Sequence, residues 1–80
     1  MLILKRAPIH RTGEWDKDDY DVYDGEQHIG RIFLSPQAPR DEPWFWTITA
    51  RFPQSTHDRG YAASREAAMF AFKVAWEREP

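Results

Sequence analysis

The sequence contains no cysteine, which removes disulfides and thiolate zinc sites as sources of stability. Long apolar runs are missing too. No stretch approaches the roughly 18–20 apolar residues of a membrane-spanning helix. The apolar opening Met1-Leu2-Ile3-Leu4 runs straight into Lys5 and Arg6. A secretory signal places its charge before an apolar stretch of about 7–15 residues, so a cytoplasmic protein is expected. Glycine is scarce, and Gly13, Gly25, Gly30 and Gly60 stand too far apart to form a phosphate-cradling loop.

What is present points to packing. The 80 residues are 41% hydrophobic and 15% aromatic, too apolar for a disordered chain and too few for two cores. One domain over residues 1–80 is expected, divided into an arm and loop (1–18), a sheet (19–50) and a helix (64–78). Four tryptophans supply much of the burial, since one aromatic ring removes roughly 150–250 Å² from water.

The net charge of -2 is unevenly spread. Residues 1–11 carry +3, residues 12–26 carry -6, and the remainder carries +1. Concentrated acid repels phosphate backbones, so this pattern weighs against general nucleic-acid binding.

Leu2 to Arg6 is a short apolar run stopped by Pro8, either an edge strand or an arm laid across the body. Ile9 to Lys17 reads as loop, with Trp15 as an anchor. Tyr20-Asp21-Val22-Tyr23 alternates as a strand does. Asp24-Gly25 follows as a type I′ turn, setting Val22 opposite Gln27 and Tyr20 opposite Ile29. The next strand, Gln27 to Leu34, contains Gly30, which marks a bulge or a place where an indole lies on bare backbone. A bulge would let Ile29 and Ile32 point the same way.

Ser35 to Pro43, with three prolines, is loop. Trp44 to Ala50 is the clearest strand: Trp44, Trp46 and Ile48 share the core face, and Phe45, Thr47 and Thr49 the other. Pro53 to Gly60 reads as a second loop. Ser64 caps a helix over 65–78, whose face of Ala68, Met69, Ala71, Phe72, Ala75 and Trp76 closes the core. The fold class is therefore α+β. An antiparallel sheet of three to four strands packs on one C-terminal helix, in a β-β-β-α core with room for an extra N-terminal strand.

Several strings together form a recognisable pattern. Gly13-Glu14-Trp15, Asp18-Asp19-Tyr20-Asp21-Val22, Gly30-Arg31-Ile32, Trp44-Phe45-Trp46-Thr47, Gly60-Tyr61 and Arg65-Glu66-Ala67-Ala68-Met69 resemble a group of short uncharacterised bacterial proteins. The likeness spans nearly the whole chain. That group has no assigned activity, so the resemblance implies an intact domain and no site residues.

Catalytic and metal patterns fail one by one. A calcium loop begun at Asp16 would need oxygen at its fifth position, glycine at its sixth and glutamate at its twelfth, where Tyr20, Asp21 and Gln27 stand. His10, His28 and His57 are too scattered for a zinc set. His28 is placed to meet Asp21 across the hairpin as a surface ion pair. Ser64 is a cap, and Ser35, Ser55 and Thr56 lack an elbow or an ordered base. No catalytic residue, cofactor or metal is expected, and a non-enzymatic binding domain is the reading.

Two surfaces compete for that role. Ala67, Phe70 and Val74 form a second apolar stripe on the back of the helix, of a kind that soluble monomers usually avoid exposing. Phe70 and Val74, with Phe45 second, are the candidate interface to a protein partner or a second copy. The alternative is DNA binding through the open face of the sheet. DNA-binding domains of the integrase and plant AP2 type lay such a face into the major groove, and Arg31 and Arg51 would read it beside Phe45.

Overall fold

The computed structural model describes residues 2–8, 15–51 and 53–78. Five strands run in chain order: β1 Leu2–Pro8, β2 Trp15–Asp24, β3 Gln27–Leu34, β4 Trp44–Ile48 and β5 Arg59–Ala62. They form one antiparallel sheet in the order β1-β2-β3-β4-β5. One helix, α1 (Arg65–Glu77), packs over β3, β4 and β5. The fold class is the expected one, and the N-terminal run is indeed an edge strand, paired Leu4 to Val22 and Arg6 to Tyr20.

Two expectations about how the chain is divided need correction. The first 18 residues are not arm and loop throughout, because Leu2–Pro8 is sheet and β2 already begins at Trp15. The anchoring role assigned to the Trp15 side chain, and Ile9 to Glu14, lie outside the described residues. The expected count of three to four strands falls one short. Arg59–Ala62, split between a predicted loop and a linker, pairs with β4 because Gly60 lets the Trp46 indole lie flat on it; a Cβ there would sit 3.0 Å from the ring.

The hairpin turn is also displaced. Gly25 and Glu26 form it, with Asp24 opposite Gln27, and Gly25 alone has positive φ (63°). That is the φ pattern of a type II′ turn, not type I′, which needs two such residues. The register then shifts between Val22 and Tyr23, so Val22 meets Gly30 and Tyr20 meets Ile32. This is the bulge that Gly30 announced. It turns Ile29 inward beside Ile32, and both are fully buried. The ring against Gly30 is the phenyl of Phe72, not an indole: a Cβ would fall 2.6 Å from it and closer still to the Thr47 carbonyl.

The core is Val22, Ile29, Ile32, Trp46, Ile48 and Ala62 from the sheet with Ala68, Phe72 and Ala75 from the helix. Phe72 meets Trp46 edge-on, with ring centroids 6.2 Å apart. The alanines let the helix axis approach the sheet closely enough for that contact. Ser64 caps the helix as expected, its Oγ accepting from the Ala67 amide at 3.0 Å. No helix among the described residues is long and apolar enough to cross a membrane.

Candidate functional site

The helix has two faces because its apolar residues follow two separate stripes. One is spent on the core. On the other, Phe70 is 70% exposed and Val74 54% exposed. β1 does not cover them, since it lies at the sheet edge beside β2. Because α1 sits over β3–β5, the inner side of β1 is left partly open, with Leu2 and Leu4 only half-buried, and a groove runs between β1 and the helix. Its N-terminal half, about 270 Å³, is lined by Leu4, Arg65, Glu66, Met69, Phe70 and Lys73. Its C-terminal half, about 440 Å³, continues past Leu2, Met69, Lys73 and Trp76 to Asp24 and Glu77. Phe70 is thus the rim of a half-apolar trough, which gives the stripe depth that the sequence did not show.

The charged residues along this stripe are ordered. Glu66 accepts from Arg65 at 3.2 Å, yet its side chain stays 75% exposed. Lys73 has no ion-pair partner among the described residues. Further along, the Trp76 indole N–H donates to Asp24 at 3.0 Å, tying the hairpin turn to the last turn of the helix. This bond holds the Asp24 carboxyl below the usual carboxylate range.

The second candidate surface is the sheet face away from the helix. The register aligns three rows on it: Ile3, Tyr23 and His28; Lys5, Asp21, Arg31, Thr47 and Arg59; and Asp19, Phe33, Phe45 and Tyr61. Phe45 sits at the centre of an aromatic row, 5.3 Å from Phe33 and 5.2 Å from Tyr61 between ring centroids. Arg31 lies 4.8 Å above the Phe33 ring and is ion-paired with Asp19. His28 meets Asp21 at 3.0 Å, as the hairpin predicted.

Arg51 is not on that face. The strand ends at Ile48, and the chain turns Arg51 to the other side of the sheet, under the C-terminus of the helix. Its guanidinium donates to Asp58 at 2.9 Å and to the carbonyls of Ala75 (3.0 Å) and Trp76 (2.8 Å). These are carbonyls of the last helical turn, where intrahelical donors run out; Ala75 also accepts from the Arg78 amide at 3.3 Å. Asp58 is buried and also accepts from the Ser55 amide at 3.0 Å. Burial works to raise its pKa; the Ser55 amide and then Arg51 outweigh that and hold the carboxyl below its ordinary value. The cluster is a structural clasp.

Of the residues singled out beforehand, Phe70 and Val74 stand together on one surface, and Phe45 and Arg31 on another. Tyr61, Arg59, Leu4 and Met69 were missed. Tyr61 and Arg59 belong to the unpredicted β5, whose signal was the glycine between them. Among the described residues no three His, Asp or Glu side chains converge as a metal site. Against models of known families, curated proteins and solved structures, the chain has no match.

Proposed function

We propose that this chain is a small non-enzymatic binding domain that associates with another protein chain, or with itself, through the outer stripe of its helix. The observation that carries the reading is the exposure of Phe70 (70%) and Val74 (54%) side by side. Phe70 is on the rim of a groove lined by Leu4 and Met69, with Val74 beside it on the outer side of the helix. A ring left this exposed gains about 2 kcal/mol when a partner covers it. Central aromatic residues are the ones that dominate binding energy. Phe70→Asp is expected to lower oligomer mass or partner capture, with the circular dichroism spectrum and melting temperature kept. A variant that associates as before removes the reading.

A second reading, DNA binding through the open sheet face, is favoured by one observation, the aromatic row Phe33–Phe45–Tyr61 with Arg31 laid on its end. Such rows are stacking platforms for unpaired bases. It has lost Arg51, which is held at the helix end. A salt titration with fluorescent single-stranded and duplex DNA decides it: no binding at low salt, where phosphate contacts are strongest, ends that reading.

A further inference from the structure

We infer that the occupant of the helix stripe is a second copy of this chain, paired antiparallel about a two-fold axis near Phe70. The inference rests on the reading of the stripe as a binding surface and goes on to name its partner. At 100° per residue, Phe70 and Val74 lie on the outward meridian of α1, with Ala67 beside them. Glu66 and Lys73 both lie on one flank, the flank that overlooks the groove, and both line it. They are seven residues apart, so they point in nearly the same direction.

An antiparallel two-fold pairing sets each residue against one equally far, to within a residue, on the other side of the axis, and like flank meets like flank. With the axis near Phe70, Glu66 (four before) meets the second copy's Lys73 (three after), and the reverse contact is made by symmetry. On the other flank Ala67, three before, comes within one residue of the second copy's Val74, four after. Phe70 lies beside its own counterpart, small residue meets larger one, and the Glu66–Lys73 contact is made twice. The stripe is therefore self-complementary in shape and in sign. A parallel two-fold pairing would put the two Glu66–Lys73 flanks on opposite sides of the contact, where neither charge meets its opposite. The Arg65–Glu66 contact does not compete for the whole carboxylate, since Arg65 reaches Oε2 only.

The contact is one short helix and its groove, so the dimer is weak, with Kd of roughly 10–100 µM. The test is charge reversal read by analytical ultracentrifugation over a concentration series. E66K and K73E each place like charges at both symmetric contacts, and each alone is expected to weaken self-association about tenfold. Mixed in equal amounts, the two variants restore both opposite-charge contacts, and the mixture is expected to associate with a Kd within about threefold of the wild type. A purely structural effect of either substitution would not be repaired by mixing.

Three results overturn the inference: wild type that stays monomeric near 1 mM, single variants that dimerise as wild type does, or a mixture no tighter than its components. If Phe70→Asp abolishes assembly while the charge variants leave it unchanged, the antiparallel register is wrong and the stripe reading stands. If Phe70→Asp leaves assembly unchanged, the stripe reading itself fails.

Discussion

Arg51 and Trp76 are joined twice: the guanidinium donates to the Trp76 carbonyl at 2.8 Å and lies 5.3 Å from the centroid of its ring. A residue from the β4–β5 connection thus caps the end of a helix that lies 25 positions later in sequence.

Arg51→Ala leaves Asp58 buried without its cation and takes a donor from both helix-end carbonyls, of which Ala75 keeps the Arg78 amide. The expected loss is about 2–3 kcal/mol, and a domain of this size then melts roughly 10–20 °C lower. A thermal melt checks this. DNA affinity, if any is found, should not change, because Arg51 is on the wrong side of the sheet to contribute.

The two depressed carboxyls, Asp24 and Asp58, fix the direction of the pH dependence. Each folded pKa lies below the unfolded value of about 4. Their stabilisation is therefore fully present above pH 4 and is lost as pH falls through the folded values. Denaturant midpoints measured from pH 7 down to pH 2 should hold steady and then drop in the acid range. Asp58→Asn should begin lower at pH 7 and show a shallower acid decline.

Phe70 and Phe72 are two residues apart on one helix and should behave as opposites. Phe72 is fully buried against Trp46 and Gly30, so Phe72→Ala is expected to cost about 3–5 kcal/mol. Phe70→Asp should stay within about 0.5 kcal/mol of the wild type. Urea titrations of both variants give the comparison directly. Equal losses would mean that Phe70 is packed inside.

Three glycine-to-alanine changes should rank by what the new methyl meets. Gly30→Ala drives it into the Thr47 carbonyl and the Phe72 ring, at a cost of about 3 kcal/mol or more. Gly60→Ala presses on the Trp46 indole from 3.0 Å and costs less, about 1–2 kcal/mol. Gly25→Ala meets nothing within 4 Å and costs about 1 kcal/mol, through its left-handed backbone alone. Stability curves for the three, measured together, test the order.

Local chemistry was legible in the sequence wherever it was strong. Trp44, Trp46 and Ile48 alternate, Ser64 precedes a helical pattern, and His28 reaches Asp21 across the hairpin; each was legible from nearby residues. The stripe of Phe70 and Val74 was legible as well, because helical spacing separates it from the core face. β5 was not. Its four residues include an arginine and a glycine and show no alternation, and it is sheet only because Trp46 lies on Gly60. The fate of Arg51 was hidden for the same reason. Its partners are distant in sequence, and a residue just past a strand continues the strand's face only while the strand lasts. The groove depends on where α1 sits across the sheet, which no local pattern encodes.

The sheet's order has a kinetic consequence. Every strand bonds to the one before it in the chain, so each pairing closes through a loop of modest length and none waits for a crossover. The sheet can zip from hairpin to hairpin, but its inner surface of Ile32, Trp46 and Ile48 stays wet until the last element docks. Speed of folding should therefore depend on the hairpins, and resistance to aggregation on how quickly the helix arrives to cover them.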